Sequence, residues 1–109
     1  MPGPRCNPGR AAAYARLAAE AERYPEFSLD ALETPGASER DAALGHAIYD
    51  AAVRRWLTIS YLCGKHLRQR WDDLQPGVLA ALLGGAAQIL FLDRIPTHSA
   101  IDESVEWTK

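Results

Sequence analysis

The sequence predicts an all-α domain, a compact bundle of five or six helices around one central apolar helix, with no sheet. Three observations carry that expectation. No segment alternates apolar and polar residues over five or more positions, the pattern of a half-buried strand. Apolar residues recur instead at spacings of three and four, in stretches separated by Pro- and Gly-rich breaks. One stretch, 78–92, is apolar nearly all round, interrupted by Gln88 and a pair of glycines, and a helix of that kind is one the others surround.

Residues 1–9 hold three of the seven prolines and two glycines and read as a flexible tail; the helical domain covers 10–109. A first helix, Arg10 to Tyr24, is rich in alanine and stops at Pro25, which disfavours helical angles in its predecessor. Leu17, Ala18, Ala21 and Tyr24 share one face of it, with Tyr14 at the leading edge. Phe27 to Leu32 can form one more turn with Ser28 as its cap, and Glu33 to Ser38 is a loop by its turn residues. Ser38 then caps a helix over Glu39–Trp56, buried along Leu44, Ala47, Ile48, Ala51 and Ala52. The apolar stripe slips at Arg55 and restarts at Ile59, Leu62, Cys63 and Leu67, which predicts a second helix over Thr58–Gln69 capped by Thr58.

Trp71 to Gln75 is a connector, and Pro76 suits the first position of the central helix, Pro76 to Leu92. Gly84 and Gly85 within it cost roughly 1 kcal/mol each relative to alanine, a cost that points to a close helix crossing. Asp93 to Pro96 breaks this helix. A last one starts at Thr97 or Ser99, with Asp102 and Glu103 near the positive end of its dipole and Ile101, Val105 and Thr108 along one face. It is still in register at Lys109, so the domain reads as incomplete at its C-terminus.

The composition is that of one water-soluble domain: 109 residues, 48% hydrophobic, 24% charged, formal charge −2. With no net positive charge, binding to nucleic acid needs a local basic patch. Cys6 and Cys63 are too few for a disulfide framework or a zinc site and read as reduced cytoplasmic thiols. The N-terminus has no secretory signal, and the longest apolar stretch falls short of the roughly 20 residues of a membrane span.

Candidate chemistry is sparse. His46 with Asp50, and Cys63 with His66, have helical spacing for metal ligands, but neither pair extends to the four donors zinc takes. The carboxylates Asp72, Asp73, Asp102, Glu103 and Glu106 fit solvation and dipole roles better than acid–base pairs. There is no Ser-His-Asp order, phosphate-binding glycine loop or dinucleotide fingerprint. The expectation is therefore neither an enzyme nor a cofactor protein. The charge distribution says more. Arg54, Arg55, Lys65, Arg68 and Arg70 follow one another with no Asp or Glu between Asp50 and Asp72, and Trp56, Tyr61 and Trp71 are interleaved. Cations beside flat rings suit RNA phosphates and unstacked bases.

The stretch from Phe91 to Lys109, FLDRIPTHSAIDESVEWTK, resembles the "LFLDRIPxHxAxNEAVELAK" motif of the NusB-like domain family. Members of that family are transcription antitermination factors and N-terminal domains of RsmB-type rRNA cytosine methyltransferases. Arg40 to Arg55 is similar to the family's "RALATELVYGVLRR" helix, and Leu74 to Leu83 to its "LDPxVRALLR" segment. Order and spacing agree over about 10–109. The sequence departs from the family at Leu83, usually arginine, at Ala87, usually tyrosine, at Gln75, usually acidic, and at Asp102, usually asparagine.

The resemblance implies an all-helical RNA-binding module, acting in antitermination or in rRNA recognition for a methyltransferase, with RNA and a ribosomal protein as partners. It implies that Arg10, supported by Arg16, matches the family's arginine-rich N-terminal helix. It also places the family's "KFVNGVL" helix and any methyltransferase domain beyond Lys109. The RNA-contacting set expected is therefore Arg10, Arg16, Arg54, Arg55, Lys65 and Arg68. The alternative is a helical interaction or homodimerisation module without RNA binding, driven by apolar surface that an incomplete domain would leave uncovered.

Overall fold

The computed structural model describes residues 7–28, 30–92 and 95–108. Asn7 opens helix α1, Pro8–Arg23: its side-chain oxygen accepts the amides of Gly9 and Arg10, and Pro8 occupies a first-turn position that needs no N–H. The helix thus begins inside the stretch expected as tail, while residues 1–6, with Arg5 and Cys6, lie outside the described residues. Tyr24, before Pro25, has the extended backbone proline demands and ends α1.

The described residues between Phe27 and Leu32 are not helical, contrary to the extra turn expected there. The carbonyls of Asp30 and Ala31 are taken by the Arg16 guanidinium instead of by helical amides. Ser28 accepts the Asp30 amide in a local turn, while its own amide donates to Glu20. Helix α2, Glu39–Arg54, begins where expected, with the Ser38 hydroxyl accepting the Asp41 amide at 3.1 Å.

The break in the stripe falls at Arg55, whose backbone leaves the helical region, and α3 covers Trp56–Gly64. Thr58 is therefore an exposed residue within α3 and not its cap. The helix also ends before Gln69, in a tightened turn in which His66 bonds back to Cys63 and Leu67 to Gly64. A short 3₁₀ turn, Trp71–Asp73, leads to α4, Pro76–Phe91, and α5 runs from Thr97 to Thr108. Among the described residues there is no strand, as the periodicity required.

Every other α-helix packs on α4, whose Leu79, Ala80, Leu83 and Ala87 are buried with Ala13, Tyr14, Leu17, Ile48, Ala52, Trp56 and Ile59. The glycine pair marks two crossings. A Cβ at Gly84 would overlap the Tyr14 ring of α1, and one at Gly85 would lie 2.9 Å from Ser104 Oγ of α5. Because Gly85 faces Ser104 while the Gly77 carbonyl takes the Trp107 indole N–H, α5 runs antiparallel to α4.

The face shared by Ile101 and Val105 is not the packed face of α5. Ala100 is the buried residue of α5, whereas Ile101 and Val105 are 49% and 51% exposed. The reason lies on α4: Gly85 lets Ser104 come close and the Gly77 carbonyl takes the Trp107 indole, so these two set the packed side of α5 in place of its most apolar stripe.

Candidate nucleic-acid interface

The six expected contact residues separate into two groups. Arg10, in the first turn of α1, is only 6% exposed. Its Nε donates to Gln88 Oε1 at 2.7 Å and its Nη1 pairs with the Glu103 carboxylate. Gln88 Nε2 donates in turn to Tyr14 Oη at 2.8 Å and to the Gly84 carbonyl at 2.9 Å. Tyr14 Oη also shares a hydrogen bond with Ser104 Oγ, 2.8 Å away, in which either hydroxyl can donate. This chain of bonds ties α1, α4 and α5 together and spends the Arg10 charge inside the domain. Arg10 thus sits inside the domain as a structural cation, apart from the exposed residues of the expected set.

Arg16, partly exposed, is also engaged within the domain. Its Nη2 donates to the Asp30 carbonyl at 2.6 Å, its Nη1 reaches the Ala31 carbonyl, and its guanidinium lies over the Tyr49 ring at 5.1 Å. Beneath it, Glu20 is fully buried and accepts from the Ser28 amide at 2.9 Å and the Tyr49 hydroxyl at 3.0 Å. Burial, then the bond and charge of Glu20, push the Tyr49 phenol up to about 12. This second polar cluster anchors the 26–32 loop to α1 and α2. A groove of about 990 Å³ runs beside it, between the alanine face of α1 and the loop at 30–35, and Arg16, its cation, is already engaged.

Arg54, Arg55, Lys65 and Arg68 are exposed, and so is Arg70. They follow α3, with the arginine pair before its first residue and the others just after its last, and nine residues of helix separate them by about 14 Å. Arg54 makes a surface ion pair with Asp50 at 3.2 Å, a bond worth little in water. Arg55 lies over Phe91 at 4.9 Å and Lys65 over Tyr61 at 5.3 Å, contacts that steady the stems and leave the charged ends at the surface. Among the described residues, Arg68 and Arg70 have no ion-pair partner. The exposed cations thus flank the two ends of α3, apart from the two arginines of α1.

Ala21, Tyr24, Trp56, Ser60, Trp71, Asp72 and Leu79 line a recess of about 520 Å³. Tyr24 is half exposed and stacks on the buried Trp56 at 5.9 Å, with the rings 12° from parallel. The Ser60 hydroxyl donates to the Trp56 carbonyl, leaving its lone pair and the exposed Asp72 carboxylate as polar groups of the recess. Sequence reasoning placed Tyr24 on one face of α1 with Leu17, Ala18 and Ala21; its part in this recess follows from the turn after α1, which no periodicity reports. Gln88 and Glu20 were also missed as buried polar groups. For Gln88 the signal existed, as the one polar side chain in an otherwise apolar helix.

Burial pushes the Cys63 thiol above its ordinary value, which keeps it protonated and a poor nucleophile. Among the described residues, no three His, Cys, Asp or Glu side chains are grouped to hold a metal ion, and no helix is long and apolar enough to cross a membrane.

The NusB family matches residues 11–109, nearly the whole chain. No curated protein and no solved structure matches it. The chain belongs to the NusB family.

Proposed function

We propose that this NusB-family chain binds structured RNA along the α3 edge, with Arg54, Arg55, Lys65 and Arg68 on phosphates and Arg70 beside them. Family membership supports an RNA-binding role of the antitermination type in general, in a family that binds and does not catalyse. The observation that carries the assignment to this edge is the exposed basic run, in which, among the described residues, Arg54 alone makes an ion pair, with Asp50. Cations of this kind position RNA without reading its sequence. Tyr61 and the Tyr24–Trp71 recess offer flat apolar surface to an unpaired base.

The finer reading is rRNA recognition on behalf of a methyltransferase, together with a ribosomal protein partner. It rests on the paired Arg54-Arg55 and the Pro96-Thr97-His98 turn of the resemblance. We also propose the cytoplasm as the site of action and 10–109 as the working domain, with α1 reaching back to Pro8.

The test is binding of a fluorescent rRNA hairpin over a range of salt concentrations. Four phosphate contacts give a slope of log affinity on log salt of about −3, at roughly −0.7 to −0.9 per contact. Alanine at Arg54, Arg55, Lys65 and Arg68 together should remove most of that slope. Unchanged affinity in a helical variant would sink the assignment.

A further inference from the structure

We infer that, granted RNA binding at the α3 edge, the recess between Tyr24 and Trp71 selects guanine, taking one unstacked base by its hydrogen-bond donors. The apolar frame of this recess is held in place from behind. Trp56 and Leu79, both buried, are part of its lining. Tyr24 lies nearly parallel to Trp56, and Phe27 packs on both rings, at 5.8 Å from Tyr24 and 4.7 Å from Trp56. Trp71 is carried by its 3₁₀ turn, in which the Asp73 amide donates to the Arg70 carbonyl and the Leu74 amide to that of Trp71. Rings fixed in this way lose little freedom when a flat molecule stacks on them. The volume of about 520 Å³ falls within the roughly 300–1,000 Å³ of small-ligand sites.

The polar lining decides which flat molecule fits. The Ser60 hydroxyl spends its proton on the Trp56 carbonyl at 2.6 Å, so toward a ligand it can only accept. The Asp72 carboxylate also only accepts; it is exposed and, among the described residues, has no ion-pair or hydrogen-bond partner. Both call for a ligand that donates.

Aromatic rings with a carboxylate would also suit an organic cation. Charge argues against that class here, because exposed Arg70 is joined directly to Trp71 and exposed Arg68 precedes it by three residues. A nucleotide satisfies both halves of the site: its phosphate meets the arginines, and its neutral base enters between the rings. Among the four bases, guanine alone sets two donors side by side, N1–H and the N2 amino group, matched to the two oxygens of one carboxylate. Adenine and cytosine place an amino group beside a ring acceptor. Uracil places its N–H between two carbonyls, so a carboxylate repels part of each of these edges. The phenol and indole groups of the lining can donate in turn, and guanine carries O6 and N7 to receive them.

The experiment is titration of the whole chain with fluorescent RNA hairpins that share one stem and a uridine loop. The central loop residue is uridine, guanine, adenine, cytosine or inosine, and each hairpin is measured at several salt concentrations. The guanine hairpin should bind about tenfold tighter than the uridine, adenine and cytosine ones, the scale of one bidentate base contact. Inosine, which keeps N1–H and lacks the amino group, should fall between. Asp72→Asn should bring guanine down to the level of the other bases while the chain stays helical. Binding with the salt slope expected above but no base preference would overturn the guanine site and leave the RNA reading standing. No binding to any hairpin at low salt would overturn both. Inosine equal to guanine, or a guanine preference that survives Asp72→Asn, would also overturn the guanine site.

Discussion

Replacing Glu103 with alanine should cost this protein a large share of its stability, and the size follows from the groups it would strand. The Arg10 guanidinium is buried, and the Glu103 carboxylate is paired with it. Removing one partner of a buried ion pair costs about 3–5 kcal/mol, because the remaining charge stays out of water. The same carboxylate accepts the Asn7 amide at the start of α1, a bond worth about 1 kcal/mol. Glu103 itself is 17% exposed, so water can enter the space it leaves, and about 3 kcal/mol overall is the reasonable figure.

A domain of this size is stable by about 5–15 kcal/mol. At about 4 °C per kcal/mol, the melting temperature should fall by about 12 °C. Urea melts followed by circular dichroism and by tryptophan fluorescence measure the change. Glu103→Gln, which keeps an acceptor for Asn7, should lose less. The double variant Arg10→Met with Glu103→Leu removes both charges of the pair and should lose less than Glu103→Ala alone. A loss below about 1 kcal/mol for Glu103→Ala would refute the reasoning, since Arg10 would then be solvated. The double variant should also keep its RNA affinity and salt slope, and a drop in either would return Arg10 to the binding surface.

The glycines of α4 should respond in opposite directions. Gly84→Ala gains about 1 kcal/mol of helix propensity but drives a methyl into Tyr14, which two hydrogen bonds hold in place, so a net loss of about 1–2 kcal/mol is expected. Gly77→Ala meets nothing within 4 Å and should be neutral or stabilising in the same melts. A stabilised Gly84→Ala would show that the α1–α4 crossing is looser than described. Tyr49 gives a pH signature. Its folded value of about 12 exceeds the ordinary 10.0, so its contribution is complete below pH 10 and is lost as pH rises through 12. For a partly exposed phenol that loss is about 1 kcal/mol. Tyr49→Phe should lack it, and parallel declines of both proteins over that range would exclude the effect.

Much of this architecture is written in local sequence. The Ser38 cap, the stop at Pro25, Pro76 at the head of α4 and the apolar period of each helix act over a few residues, and they recover five helices and their order. The close crossings were also legible, because a pair of glycines inside a buried helix has few other uses. The NusB motif at 91–109 is local in the same sense, and it carries the family.

What only the tertiary structure decided concerns partners far apart in sequence. Whether an arginine is free or spent depends on what lies opposite it. Arg10 meets Gln88 and Glu103, and Arg16 meets the carbonyls of Asp30 and Ala31, whereas Arg68 and Arg70 meet no acidic group among the described residues. No spacing rule distinguishes those four residues. The outward turn of Ile101 and Val105 has the same origin. The rotation of α5 is set by Ser104 packing on Gly85 and Trp107 bonding to the Gly77 carbonyl, so the most apolar stripe of a helix became its surface. Periodicity identifies which residues share a face, but the neighbours across the interface determine which face is buried.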